Sequence, residues 1–214
     1  MLTSPAEGPN PWKVVMFLEE LHIPYEVKQI RLADVKKKPF TDLNPNGRVP
    51  AIKDPNTDLV LWESGAILTY LAEEYDKDGR LSYLSGKEKH HINQWLHFQV
   101  SGQGPYFGQA SWFQFLHPEK VPSALERYQK EMTRVLGVLD VALEGKQWLV
   151  GDRMTYADLA FVPYNAAVPI ILGWADDVEQ FKDHPNMKAW HERMVSLPSW
   201  RKAMELRSRL MQDL

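Results

Sequence analysis

Two short stretches in the first third of the chain have residue types and spacing suited to ligand binding. The first is the Asn-Pro-Asn-Gly turn at 44–47, which leads through Val49 and Pro50 into the apolar run Ala51-Ile52. Proline has no N–H and accepts a cis peptide bond at modest cost, and we predict that the bond before Pro50 is cis. The N–H and C=O of Val49 would then face outward, as an edge with which a peptide-like ligand could pair.

The second stretch changes from a strand pattern to a helix pattern. An apolar run ends at Trp62, and Glu63-Ser64-Gly65 then opens a segment whose apolar residues recur at helical spacing. Ser64 is thereby placed at a helix N-terminus. The free N–H groups and the positive dipole end of such a helix favour a carboxylate.

The elements around these stretches follow the order strand, helix, strand, connector, strand, strand, helix. Residues 1–4 are the ones available for a first strand, and Tyr25 to Leu32 alternates like a second strand. Between them, Pro11 opens a helical stripe that runs to Leu21, with Asn10 in the position of its N-cap. This order is the one that a thioredoxin-like α/β domain requires.

The second half of the chain is predicted to be helical. Residues 77–87 are rich in Asp, Gly and Ser and read as a linker, which gives domains at 1–76 and 88–214. The segment from Lys87 to about Phe115 is broken by glycine and proline, so we expect one bent helix or two abutting ones. Further helices are predicted at Pro122–Leu143, after a Thr155–Asp158 capping box, and from Pro185 and Pro198.

Composition restricts the function classes. The formal net charge is −3 with no basic face, so nucleic acid and anionic membranes are poor partners, and no stretch approaches the length of a membrane span. The chain has no cysteine, which removes disulfides, thiolate metal sites and Cys-x-x-Cys redox motifs. Any thiol chemistry must use a thiol that the ligand brings. The seven histidines show no paired ligand spacing, so no metal site is expected.

The first residues indicate a location. They lack the basic start and the apolar core of a secretion signal. A cytoplasmic protein is therefore expected.

Both stretches, together with the run 148–152 (Trp-Leu-Val-Gly-Asp) and the Thr-x-Ala-Asp that follows it, resemble the cytosolic glutathione transferases. Residues 8–14, 44–51 and 94–109 look most like the fungal class related to the yeast nitrogen-catabolite regulator, which is close to the bacterial Nu class. The resemblance covers nearly the whole chain. It implies a thioredoxin-like α/β N-terminal domain followed by an all-α C-terminal domain.

The resemblance also implies a glutathione site, with glutathione as substrate. In this family the cysteinyl backbone of glutathione pairs with the edge formed here by Val49 and Pro50, and its γ-glutamyl group lies on Glu63 and Ser64. Asn10 matches an asparagine that points at the glutathione sulfur, although as a residue it is equally suited to be a plain helix cap.

Two cations and a second pocket complete the expected site. Arg48 is assigned to the γ-glutamyl end and Lys38, from the run 36–38, to the glycine carboxylate, while solvated side chains are the alternative for both. The second substrate is expected between the domains, where aromatic and amide groups suit flat electrophiles or disulfides. Trp12, Gln103 and Tyr106 are the residues predicted to line that pocket.

The implied activity is that of a glutathione transferase. The thiolate of glutathione would be conjugated to electrophiles, as in detoxification, or would reduce disulfides, which needs a second glutathione because the chain has no cysteine. The alternatives are a non-catalytic protein that binds glutathione or a hydrophobic ligand, a regulatory protein, or a sulfur-adding enzyme of secondary metabolism. Proteins of this family form homodimers, and a homodimer is expected here.

Overall fold

A computed structural model of the 214-residue chain describes residues 1–4, 8–174 and 181–212. The chain divides into two compact units. The first comprises Met1–Ser82 together with Ser196–Leu214, and the second comprises Tyr83–Val195.

The first unit contains a four-stranded mixed sheet with the order β2-β1-β3-β4. Its strands are β1 (Leu2–Ser4), β2 (Val27–Gln29), β3 (Ala51–Asp54) and β4 (Leu59–Trp62). Strand β1 pairs parallel with β2 and antiparallel with β3, and β3 and β4 form an antiparallel hairpin. The helices of this unit are α1 (Asn10–Glu20), α2 (Phe40–Leu43), α3 (Ser64–Tyr75) and α10 (Pro198–Gln212). This arrangement confirms the predicted thioredoxin-like α/β fold.

Helix α1 is buried along its first two turns. Every residue from Pro11 to Leu18 is buried, and the helix contacts α3, α10 and β1. The prediction that Asn10 caps this helix was wrong, because Asn10 is its first residue and no side chain makes a capping hydrogen bond there. Pro9 takes the cap position with φ −86°, which is close to the helical value and lets the helix begin one residue earlier than expected.

The sequence-based division into domains 1–76 and 88–214, joined by a linker at 77–87, places the C-terminal helix in the second domain. In the structure this helix lies in the first unit. Residues 196–214 belong to the first unit, since α10 packs against α1. Two side-chain contacts add to this packing: Lys202 Nζ donates to Glu19 Oε2 at 2.9 Å, and Gln29 Nε2 donates to the backbone oxygen of Leu210 at 2.6 Å.

The second unit is helical, as predicted. It contains α4 (Gly86–Phe98), α5 (Gly104–Ser111), α6 (Pro122–Ala142), α7 (Tyr156–Asn165), α8 (Val168–Leu172) and α9 (Pro185–Val195). Five-residue π-helical segments at Gln99–Gln103 and Trp112–Leu116 follow α4 and α5. The region expected to be one bent helix or two abutting ones is therefore continuous but irregular. No helix in the described part of the chain has the length and apolar character to cross a membrane.

Helix α7 is the centre of the second unit, and a buried aspartate fixes its start. All residues of α7 are buried, and the predicted Thr155–Asp158 capping box is present. The Asp158 carboxylate also accepts hydrogen bonds from the Leu149 N–H and from Trp190 Nε1, each at 3.0 Å. One carboxylate therefore ties the preceding loop, the α7 N-terminus and α9 together.

Removal of the Asp158 carboxylate is expected to destabilise the protein strongly. Asp158→Ala leaves buried N–H donors on Leu149, Thr155 and Trp190 without acceptors, and we expect a loss of about 3 kcal/mol or more in the free energy of unfolding. The measurement is denaturant unfolding followed by far-ultraviolet circular dichroism. The exposed Glu144→Ala is the control and should change little, and a comparably small effect of Asp158→Ala would contradict this account.

Candidate functional site

The first part of the site is the N-terminus of α3. Ser64 is the first helical residue and is buried, while Glu63 occupies the cap position with φ 71° and ψ 114°. No side chain caps this end, so the first N–H groups of the helix have no side-chain acceptor. Positive φ is uncommon for a residue with a side chain and often marks a functional site.

Three side chains from α1 and α3 form a hydrogen-bonded series at this end. Lys13 Nζ donates to Ser64 Oγ at 3.2 Å, and Ser64 Oγ donates to Asn10 Oδ1 at 3.5 Å. Asn10 Nδ2 has no hydrogen-bond partner among the described residues and remains available as a donor. The series thus connects the start of α3 with the start of α1.

Lys13 is the unusual member of this series. Its side chain belongs to the buried face of α1, with 1% of the residue exposed. Burial lowers the pKa of Lys13 from 10.5 to about 7, because the charged form loses its hydration, and the negative charge of Glu63 opposes this shift. A lysine in this state is a partial positive charge close to a helix N-terminus.

The second part of the site is the turn before β3, which Asn44 organises. Asn44 is buried, its Oδ1 accepts from the Asn46 N–H at 2.9 Å, and its Nδ2 donates to the Arg48 oxygen at 2.6 Å. Gly47 has φ +57°, and a Cβ there would lie 2.6 Å from the Val35 oxygen, so only glycine fits.

This turn leads to the edge residue. The Val49–Pro50 peptide bond is cis, which confirms the prediction. The Val49 side chain packs against Val35, Phe40 and Ala51. Within the described ranges no hydrogen bond engages the backbone of Val49.

One contact links the two parts. Asn46 Nδ2 donates to Glu63 Oε1 at 3.4 Å, and Lys36 Nζ donates to the Asn46 oxygen at 2.6 Å. The turn and the α3 N-terminus are therefore positioned together within the first unit. Lys13 was not identified from the sequence, although it lies three residues after Asn10 on the same helix, and Lys36 and Asn46 were named only as members of the run 36–38 and of the turn 44–47.

The two predicted cations lie at the surface. Lys38 is 80% exposed in its side chain and pairs with Asp42, Nζ to Oδ1, at 3.1 Å. Arg48 is exposed as well. Their assignments to glutathione carboxylates stay predictions.

The residues expected to line a second-substrate pocket have different surroundings within their own units. Trp12 is 1% exposed in α1, and its Nε1 has no hydrogen-bond partner in the described part of the chain. Gln103 is fully buried in the second unit, where it accepts from Gln99 Nε2 at 3.0 Å and donates to Asn165 Oδ1 at 2.8 Å. Tyr106 is partly buried beside the Tyr128 ring. Of the three, Tyr106 alone keeps an accessible part of its side chain.

Among the residues that the structure describes, no three His, Cys, Asp or Glu side chains converge in a way that could hold a metal ion.

Comparisons with known proteins identify the family. Residues 8–74 match the family model for the glutathione S-transferase N-terminal domain, and residues 105–198 match that for the C-terminal domain. The glutathione S-transferase-like protein tpcF of Aspergillus fumigatus is 48% identical over 206 residues, which is 92% of this chain and 91% of that protein.

Solved structures agree. The glutathione transferase URE2P8 from Phanerochaete chrysosporium, crystallised with oxidized glutathione, superposes with a TM-score of 0.92 at 40% identity, covering 99% of this chain and 96% of that one. Ure2p5 from the same fungus, cocrystallised with 1-(S-glutathionyl)-2,4-dinitrobenzene, superposes with a TM-score of 0.90 at 41% identity, covering 100% and 97%.

The chain therefore belongs to the glutathione transferase family, as the sequence motifs predicted. Its similarity to the URE2P and Ure2p proteins places it, within that family, in the Ure2p-like fungal class.

The lowered pKa of Lys13 should make the stability of the free protein depend on pH. Between about pH 7 and 10.5 the unfolded state binds more protons at this lysine than the folded state, so the Lys13 contribution to stability rises with pH in that window. Below it the full cost of burying the charge remains. We expect Lys13→Met to be more stable than wild type by about 1 kcal/mol or more near pH 6, with the difference shrinking as the pH rises.

Thermal unfolding across that pH range measures this difference. The surface variant Lys202→Met is the control, because Lys202 is exposed and paired with Glu19, and it should leave the pH dependence of wild type in place. A pH-independent difference between wild type and Lys13→Met would show that Lys13 is not buried as a titrating group.

The positive φ of Glu63 should also reduce the free energy of unfolding. Glycine adopts positive φ without a steric penalty, so Glu63→Gly relieves strain of order 1–3 kcal/mol while losing about 1 kcal/mol through the more flexible unfolded chain. We expect Glu63→Gly to be neutral or stabilising in denaturant unfolding. Glu73→Gly, the same replacement at an ordinary position of α3, should cost about 1 kcal/mol, and equal losses for both variants would contradict the strain.

Proposed function

We propose that the chain binds glutathione in its first unit and uses the glutathione thiolate as a nucleophile. The observation that carries this proposal is the orientation of the Asn10 carboxamide. Its oxygen accepts from Ser64 at 3.5 Å, which leaves the Nδ2 donor for a thiol bound beside it. A donor held in this way stabilises a thiolate, and this chain has no cysteine whose own thiol could be the target.

Backbone groups would supply most of the recognition. The cysteinyl residue of glutathione pairs with the N–H and C=O of Val49, in the manner of an added strand. The γ-glutamyl carboxylate lies on the N–H groups at the start of α3, and its ammonium on the carboxylate of Glu63. Arg48 and Lys38 are at the surface of the same unit and would add charge attraction for the carboxylates.

Activation of the thiol needs the thiolate at neutral pH. Gly8 offers no side chain, and among the described residues no atom beyond its chain neighbours lies within 4 Å of where its Cβ would be. The Asn10 N–H and the positive end of α1 therefore remain as the stabilising groups, and a helix N-terminus contributes about 0.3–1 kcal/mol at an exposed site. This is a modest activation, about half a unit in the thiol pKa.

The reaction that we propose first is conjugation. The thiolate attacks an electrophilic carbon, a C–S bond forms, and the leaving group departs with its electron pair, while the thiol proton is released to solvent. The relative Ure2p5 was cocrystallised with a conjugate of this kind, 1-(S-glutathionyl)-2,4-dinitrobenzene. That supports an aromatic electrophile as the substrate class.

Disulfide reduction is the second candidate, favoured by the relative URE2P8 with oxidized glutathione. One glutathione thiolate attacks the disulfide to form a mixed disulfide and releases one substrate thiolate. A second glutathione then attacks the mixed disulfide, which yields oxidized glutathione and the second substrate thiolate. The second glutathione is required because the chain has no cysteine to resolve the intermediate.

Asn10→Ala separates these claims. We expect glutathione to bind wild type in calorimetry, and the pKa of the bound thiol, read from thiolate absorbance, to rise by about half a unit or more in the variant. Conjugation to a chlorodinitrobenzene and reduction of hydroxyethyl disulfide should then slow at neutral pH. Asn56→Ala is the matched control, since Asn56 hydrogen-bonds Tyr75 away from the site.

Three results would contradict the proposal. No affinity of wild type for glutathione removes the site itself. Affinity without either activity leaves a binding protein. An unchanged thiol pKa in Asn10→Ala removes the role of Asn10.

A further inference from the structure

The glutathione site as proposed leaves one buried polar residue without a role. Lys13 is 1% exposed, and burying a lysine is costly unless the surroundings provide acceptors. Its Nζ reaches Ser64 Oγ at 3.2 Å, at the α3 N-terminus to which the γ-glutamyl group is assigned above. The buried residues that follow it, from Val14 to Leu18, are apolar, so an amino group is unusual on this part of α1.

The hydroxyl of Ser64 sets the direction of the hydrogen bonds from Lys13 to Asn10. A serine hydroxyl has one proton, and its oxygen here accepts from Lys13, so the proton is left for another acceptor. That acceptor is Asn10 Oδ1, at 3.5 Å. Both the ammonium and the amine form of lysine carry N–H bonds, so Lys13 can donate in either protonation state.

We propose that Lys13 is a positioning residue for thiol activation, which acts through Ser64 to fix which end of the Asn10 carboxamide faces the bound thiol. This inference rests on the proposed function. It adds a residue that does not touch the thiol and that was assigned no part in binding glutathione.

The choice of amide end matters because the two ends have opposite polarity. The terminal torsion of asparagine is broad and roughly two-fold, so the side chain alone does not strongly select one orientation. With Oδ1 towards Ser64, Nδ2 donates to the thiolate, and with the amide reversed, an oxygen lone pair would face the negative sulfur. The donation from Lys13 to Ser64 also polarises the next hydrogen bond, which strengthens the Asn10 N–H as a donor.

The competing explanation for the buried Lys13 is a direct electrostatic interaction with the γ-glutamyl group of glutathione. Glu63 interacts with Lys13, and both lie near the N-terminus of α3, where the γ-glutamyl group is expected. A cation acting there would change the affinity for glutathione. A positioning residue changes the thiol pKa instead, and S-methylglutathione, which has no thiol proton, separates the two effects.

The test is a double-mutant cycle on the pKa of bound glutathione. Lys13→Met and Ser64→Ala should each raise the thiol pKa by about half a unit, a roughly threefold loss of thiolate at neutral pH. The double variant should raise it no further than the larger single change, because both residues act in one series. The affinity of Lys13→Met for S-methylglutathione should change by less than about threefold. The surface variant Lys202→Met is the control and should match wild type.

The free protein gives a second readout that does not depend on glutathione. Side-chain amide signals of Asn10 in nuclear magnetic resonance spectra should shift in both Lys13→Met and Ser64→Ala, and not in Lys202→Met. If wild type fails to bind glutathione, the proposed function is lost, and these amide signals still decide whether the hydrogen-bonded series exists.

Two outcomes overturn the inference while leaving the proposed function standing. The first is an unchanged thiol pKa in Lys13→Met, including the case in which its affinity for S-methylglutathione falls, which would place Lys13 at the γ-glutamyl group of glutathione. The second is additive effects of Lys13→Met and Ser64→Ala, which would show that they act separately.

Discussion

The first unit depends on how it accommodates a lysine inside an otherwise apolar helix face. Lys13 lies on a part of α1 that has no contact with water, so its amino group needs an acceptor from a neighbouring element. Ser64 supplies one, and this contact fixes the first turn of α3 beside the first turn of α1. Two helix N-termini and a buried amino group then share one region, and all three favour an anion. The pKa of Lys13 is lowered because the buried ammonium group has lost its hydration, and this loss costs the free protein stability.

Much of the fold was readable from the sequence because its signals are local. Proline begins α6, α9 and α10, and the Thr155–Asp158 pair begins α7, since these residues act within a single helical turn. The partner of α10 was not readable. An amphipathic stripe shows that one face of a helix is buried and does not show against which element, so α10 was assigned to the second domain by its position in the chain. The first residue of α1 was misjudged because Pro9 and Asn10 are both suited to a helix start.

The candidate site, too, contains residues that could be predicted from local motifs and residues that could not. Val49, Glu63 and Ser64 belong to short motifs whose backbone geometry is set nearby, and the structure brings the two motifs together through Asn46 and Glu63. Lys13 was missed because a lysine in a helix is normally solvated, and its burial results from packing against other elements. The run 36–38 illustrates the same limit: Lys36 contacts the turn and Lys38 pairs with Asp42, and three adjacent lysines give no indication of which one makes the contact with the turn.

Burial disfavours the charged form in both units, since it raises the pKa of Asp158 and lowers the pKa of Lys13, but the two groups differ in their hydrogen bonds. Asp158 is surrounded by donors that satisfy it, so its carboxylate strengthens the second unit. At the α3 N-terminus, Lys13 has lost hydration, Glu63 has positive φ, and the helix has no side-chain cap. Each feature costs stability, and an anion placed there would interact favourably with the lysine and with the uncapped N–H groups. Binding to the folded state alone would return stability by mass action, so the α3 N-terminus is where we propose that a carboxylate of the ligand lies.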